Sequence, residues 1–274
     1  MKTRPTELQP PFSMHSFGVC HLSVVPCRSE ASDQSEMVSQ LLFGDAFEII
    51  EERENWHKVR LAYDQYECWI DRKQFVKVSK ATFDNLRSNP APVTTDLISI
   101  ITDLKSGDTF PLVLGSSLPF YYDGEVRIED HIFRHEGQVR TFDQETTRAG
   151  IVDTAMSFLN APYLWGGRSP FGIDCSGLAQ LVFKANGMQI KRDAWQQVEI
   201  GEPYSFVEEA QPGDLAFFDN EEGRITHVGI VAGENRIIHA SGKVRIDHYD
   251  HYGIFTPERG GYTHNLRIIK NTIQ

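Results

Sequence analysis

A chain of 274 residues with 40% hydrophobic residues and a formal net charge of −11 has the make-up of a globular protein of roughly two domains. That charge excludes nucleic acid and anionic membrane as natural partners, because both require a basic face. No stretch approaches the roughly 20 apolar residues of a transmembrane helix, and four cysteines (Cys20, Cys27, Cys68 and Cys175) are too few for a disulfide framework.

Residues 1–16 form a Pro-rich lead-in. Lys2 and Arg4 are followed by Pro5, Pro10 and Pro11 rather than by an apolar core, unlike a secretory signal, so the expected location is the cytoplasm. From 17 to 80 short apolar runs alternate with turns: Gln40–Asp45, Ala46–Ile50, Trp56–Leu61 and Glu67–Ile70. Period-two alternation predicts strands, and a small β-barrel. Residues 81–93, ending in Ser88-Asn89-Pro90-Ala91-Pro92-Val93, read as a linker, because the two prolines stiffen the chain and remove amide donors. Residues 94–141 return to strand-like runs at Thr109–Leu114 and Phe120-Tyr121-Tyr122. Turn signals at Lys105–Asp108 and Asp123-Gly124 suit a second small β-barrel.

Near Asp143 the period changes. Ile151, Ala155, Phe158 and Leu159 recur at helical spacing, with Asp143 or Thr146 as cap and Ala161-Pro162 as stop. A Gly-rich turn, Trp165-Gly166-Gly167-Arg168, leads to Asp174-Cys175. Leu178, Leu181, Val182 and Ala185 then share one face of a helix that ends near Gly187. Strand-like runs follow at Leu215–Phe218, His227–Ala232, Arg236–Ser241 and Leu266–Ile269. Helices followed by an antiparallel sheet predict an α+β domain over 142–274.

Cys175 opens its helix, where the N-terminal field and a neighbouring imidazolium favour the thiolate of a group that otherwise titrates near pH ~8.5. Ser176-Gly177 put small residues beside it, leaving room for a carbonyl and for backbone amides to face an oxyanion. His227 and His239 supply an imidazole and a second imidazole to orient it, a set of parts for covalent catalysis. A three-residue turn, Gly233-Glu234-Asn235, pairs Ala232 with Arg236 and Gly229 with His239. The two histidines then share a face, diagonally opposed at a Cβ separation of about 7–8 Å. A two-residue turn sends them to opposite faces, so the catalytic reading requires an odd connection or a bulge. Taken singly, the thiol also suits a small buried core residue and each histidine a structural one; the conjunction favours catalysis.

No metal site is expected. Cys20, His21 and Cys27 match no common zinc spacing, and His131 and His135 sit four apart in a strand-rich section. His248, His251 and His264 are expected at the surface or in loops.

Tyr163-Leu164-Trp165-Gly166-Gly167, Gly172–Leu178, Pro212–Phe218, Thr226–Val231 and Ile238-His239-Ala240 together resemble the NlpC-type cell-wall cysteine peptidases, over about residues 142–245. The resemblance implies a papain-like α+β fold, Cys175 as nucleophile, His227 as general base and His239 as its orienting partner. The Cys175 amide, with the Tyr163 hydroxyl, would hold the oxyanion. Asp174 and Ser176, flanking the thiol, are counted with the substrate-binding residues. Trp165 is expected to line the groove.

The N-terminal region resembles bacterial SH3-like domains. Two SH3-like β-barrels before a papain-like domain are similar to the layout of γ-D-glutamyl-L-diamino-acid endopeptidases that recycle murein peptides with a free N-terminal L-Ala. In those enzymes the first SH3-like domain helps recognise the free amine, and its contacts would fall on Glu36 and Tyr66. Asp193 would also face the amine, and acidic and aromatic neighbours suit an ammonium group. The subfamily usually has Ser after that Asp, whereas this chain has Ala194. The implied partner is a murein-derived peptide, and no cofactor is implied. The competing readings are a non-catalytic wall-binding protein and an acyl or amide transferase on the same fold.

Overall fold

The computed structural model describes residues 16–273, and the counts below are of those residues. The expected lead-in, 1–16, lies outside them apart from Ser16. The first unit is an antiparallel sheet of β1 (Ser16–Val19), β2 (Val24–Arg28), β3 (Met37–Leu42), β4 (Ala46–Glu52), β5 (Trp56–Leu61), β6 (Glu67–Asp71) and β7 (Val76–Val78). Its strand order is β3-β2-β6-β5-β4-β1-β7. Alternation turns Val25, Leu41, Phe47, Val59, Leu61 and Ile70 into one core.

The expected linker carries a helix, α1 (Lys80–Ser88), capped by the Ser79 side chain, which accepts from the Thr82 amide. Phe83 is buried from it and stacks on Phe17 with ring centroids 4.5 Å apart. The cap and this apolar anchor hold the residues up to Ser88 in a helix, ahead of the two prolines.

The second unit comprises β8 (Val93–Thr94), β9 (Ile98–Asp103), β10 (Thr109–Val113), β11 (Glu125–Ile128), β12 (His131–Glu136) and β13 (Val139–Arg140). The middle four form a sheet of order β10-β9-β12-β11, and β13 pairs with β8. Phe120-Tyr121-Tyr122 is not a strand: Phe120 takes φ 50°, and Tyr122 bridges Glu125 to close the Asp123-Gly124 turn. Ile101, Leu112, Val126 and Phe133 share one core with Phe17, Val19 and Phe43, so the two β units pack as one body.

The third unit opens with α2 (Arg148–Ser157). Its cap is Thr147 rather than Asp143 or Thr146, and its side chain accepts from the Gly150 amide at 3.0 Å. Then come β14 (Arg168–Ser169), β15 (Gly172–Ile173), α3 (Cys175–Ala185), α4 (Ala194–Gln197) and β16 (Glu202–Pro203). The remaining strands are β17 (Leu215–Asp219), β18 (Ile225–Gly233), β19 (Arg236–Ser241), β20 (Lys243–Tyr249), β21 (Gly253–Thr256) and β22 (Gly261–Asn271). The sheet runs β16-β22-β17-β18-β19-β20-β21, and a further β22–β21 pairing closes it on itself. One side, with Val228, Ile230, Ile238 and Val244, packs against α2 and α3. The enclosed side holds Phe218, Val231, Ile237, Tyr249 and Ile254. Among the described residues no helix is long and apolar enough to cross a membrane.

Candidate active site

Cys175 is the first residue of α3 because Asp174 caps that helix. One Asp174 oxygen accepts from the Gly177 amide at 2.6 Å, the other from the Gly166 amide at 2.9 Å. Both oxygens also receive the Arg192 guanidinium, at 3.1 and 2.7 Å. Arg192, itself buried, reaches Ser176 Oγ at 2.9 Å and Ser39 Oγ of the first β unit at 2.9 Å. The carboxylate therefore fixes the turn before Cys175 and, through Arg192, ties it to β3. Gly166 shows how close that approach is: at φ 74° an added Cβ would lie 2.3 Å from the Met37 carbonyl oxygen.

Burial pushes the Cys175 thiol up to about 12, and the adjacent Asp174 charge adds to the rise; backbone groups of Val228 and Ser176, and Arg192, oppose it. Burial thus works against the expected field-stabilised thiolate. The helix N-terminus here already faces a carboxylate, which consumes its field. The sulfur still bonds to the backbone of Val228, next to His227.

His227 Nε2 lies 2.9 Å from His239 Nδ1, with the rings nearly perpendicular. Their register follows the second of the two expected routes, a bulge rather than an odd turn. The turn has two residues, Glu234 and Asn235, both at positive φ, and Gly233 rather than Ala232 pairs with Arg236. A bulge between Val231 and Gly233 restores the odd count, so Ile230 pairs with Ile238 and the register carries Gly229 opposite His239. A Cβ on Gly229 would lie 2.6 Å from Ile237 Cδ1 and 3.1 Å from His239 Cβ, so glycine permits the close crossing.

The relay extends to a residue the sequence reading missed. His239 Nε2 lies 3.0 Å from Asp247 Oδ2, and Asp247 Oδ1 accepts from Arg245 at 2.8 Å. Arg245 also pairs with Glu258 at 3.0 Å. Asp247 accepts the His239 Nε2–H, which leaves Nδ1 of His239 to accept the Nε2–H of His227. The free nitrogen of His227 is then Nδ1, a lone pair available as base. Burial, with neighbouring histidines, holds His227 well below the usual imidazole value. The signal for Asp247 lay in Lys243–Tyr249, whose alternation puts Arg245 and Asp247 on the face that carries His239.

His264 is neither a surface nor a loop residue. It lies on β22, half-buried, and stacks on His227 at a centroid distance of 4.1 Å. Burial lowers it to about 4. A closing strand that returns beside the first is invisible to local pattern.

A cavity of about 510 Å³ is lined by Glu36, Tyr66, Trp165, Asp174, Cys175, Ser176, Asp193, Ala194 and Thr226, among others. Eight of the expected site residues therefore meet in one space, from the first β unit and the third unit together. Trp165 Nε1 donates to Glu36 Oε1 at 2.5 Å across the two units. Tyr66 is pushed up by burial and by Asp193; Asp193, at the N-cap of α4, is raised by burial against the pull of Arg192. A second cavity of about 310 Å³ holds Tyr163, His227 and His264 and shares Thr226 with the first. Burial raises Tyr163 to about 12, with the charge of Cys175 next. His239 is buried behind His227 and lines neither of these cavities.

Known proteins agree with this architecture. The NlpC/P60 family matches residues 160–257, and the bacterial dipeptidyl-peptidase Sh3 domain matches residues 27–75. Dipeptidyl-peptidase 6 of Lysinibacillus sphaericus is 30% identical over 241 residues, 78% of this chain and 83% of that protein. Gamma-D-glutamyl-L-lysine dipeptidyl-peptidase of Bacillus subtilis is 38% identical over 122 residues, 44% of this chain and 41% of that protein. A solved NlpC/P60 family protein from Bacillus cereus superposes at a TM-score of 0.80 and 20% identity, over 94% of this chain and 100% of that one, a likeness of fold. Fold, site and relatives together define an α+β peptidase domain carried behind an SH3 domain. The chain belongs to the NlpC/P60 family.

Proposed function

We propose that this peptidase is a cysteine endopeptidase that hydrolyses the γ-D-glutamyl–diamino-acid bond of murein peptides with a free N-terminal L-Ala, in cytoplasmic recycling of wall peptides. The observation that carries the reading is the single cavity that joins Cys175 to Glu36, Tyr66 and Asp193. Asp193 is a half-buried carboxylate whose neighbour Arg192 is already paired with Asp174. A substrate ammonium supplies the missing positive charge. Glu36 and the Tyr66 ring add a second anion and an aromatic face. The papain-like catalytic unit takes its amine-recognition wall from the first SH3-like unit, and we read 94–141 as a second SH3-like barrel on the strength of its short antiparallel strands.

In this mechanism His227 Nδ1 removes the Cys175 proton as sulfur attacks the γ-glutamyl carbonyl. The Cys175 amide and the Tyr163 hydroxyl face the oxyanion, a role that suits a hydroxyl whose pKa stays near 12. His227 passes the proton to the leaving amine, which departs through the second cavity. Water then cleaves the thioester with His227 again as base. His239 and Asp247 hold the tautomer throughout. Incubation with L-Ala-γ-D-Glu-L-Lys and its diaminopimelate counterpart, followed by mass spectrometry, should yield L-Ala-γ-D-Glu and the free diamino acid. Cys175→Ala should yield neither; full activity in that variant sinks the mechanism.

A further inference from the structure

The third histidine goes beyond that reading. Ligand nitrogens of His227, His239 and His264 lie within 4.8 Å of one another. His227 and His264 open onto the second cavity, which gives a solvent path to them. His239 donates its other nitrogen to Asp247, the outer carboxylate that metal-binding histidines commonly have. His264 engages Thr263 Oγ1 through Nδ1 at 2.9 Å, leaving its Nε2 unclaimed. Zinc takes imidazole nitrogens at about 2.0–2.1 Å in tetrahedral sites, often three from protein with a fourth position open.

We propose that His227, His239 and His264 form an inhibitory site for zinc or a similar borderline divalent cation. The ion enters between His227 Nε2 and His239 Nδ1, whose 2.9 Å separation opens by a few tenths of an ångström to admit tetrahedral angles, and the His264 ring turns out of its stack on His227 to aim its free nitrogen at the ion. The Nε2 proton of His227 moves to its Nδ1, so no proton is lost and both nitrogens stay occupied. The lone pair that serves Cys175 disappears. Zinc thus switches off the base by reversing its tautomer, and a chelator restores it. The ion is a regulator, with no part in the peptidase reaction.

The test is titration calorimetry of the full chain with zinc chloride. Cys175→Ala should bind one equivalent as tightly as the wild type, because the thiol is not a ligand. In that background, His264→Phe should weaken binding at least tenfold. The phenyl ring keeps the stack on His227 and removes the nitrogens, so the fold is preserved, with circular dichroism as the check. Asp247→Asn should weaken it about 10–100-fold. Exposed His251→Ala should leave it unchanged. Loss of binding in Cys175→Ala, or equal affinity in His264→Phe, overturns the proposal. Neither outcome depends on which peptide is cleaved.

Discussion

Asp247 sets the protonation pattern of the whole relay, because a carboxylate can only accept. Asp247→Asn replaces acceptor by donor, turning His239 and then His227 to the wrong tautomer. We predict a fall of about 10²–10⁴ in kcat with KM little changed, read by steady-state kinetics; kcat within twofold of wild type contradicts the relay. The acid limb of kcat/KM in the wild type should lie below the ordinary imidazole value, since burial depresses His227. Ala194 is buried and lines the cavity beside Asp193. Ala194→Ser offers one more hydrogen bond, about 0.5–1.5 kcal/mol, and should lower KM for free-amine peptides without raising kcat. Cys175, His227 and His239 could be picked out of the sequence because the thiol opens a helix and the histidines stand in two consecutive strand-like runs. Asp247 and His264 were not, since their roles depend on strands β20 and β22 folding back onto β19 and β17.

The β18–β19 hairpin is the element that aligns His227 with His239. Its alternation was readable, and so was the need for an odd turn or a bulge; the choice between them was not, because the local sequence near Ala232 fits either turn length. Gly229→Ala puts a methyl against Ile237 and His239 Cβ. The expected cost is about 1–3 kcal/mol of stability, together with a drop in kcat as His239 is displaced. Chemical denaturation and kinetics on the same variant check both, and an unchanged kcat removes the hairpin from the account. Helix α3 was predicted well because its cap, apolar face and terminal glycine all agree. Helix α1 was not legible because its signals, the Ser79 cap before it and the single buried Phe83 within it, are weaker than the two prolines that follow it.

Across the whole molecule, buried charges bind the first β unit to the catalytic unit. Asp45 pairs with Lys184 at 3.0 Å and Arg168 at 3.4 Å, and all three are buried. Asp45→Ala strands two cations and should destabilise the chain by about 3–5 kcal/mol, measured by denaturant unfolding; a loss below about 1 kcal/mol contradicts that coupling. Burial lowers the pKa of His57 and His135, so the unfolded chain takes up protons that the folded one refuses. Stability should therefore begin to fall below pH ~6.5. Burial raises the Asp45 carboxyl, but Lys184 and Arg168 outweigh it and the net direction is downward, so its contribution is lost only at lower pH still. A melting temperature that holds constant from pH 7 to 4 contradicts this. We propose that the end of the cavity walled by Glu36, Tyr66 and Asp193 selects peptides with a free N-terminus. The most direct measurement is kcat/KM for L-Ala-γ-D-Glu-diamino-acid peptide with its amine free and with it acetylated. The free form should be cleaved and acetylation should cost at least a hundredfold; equal cleavage of both rules out that selection.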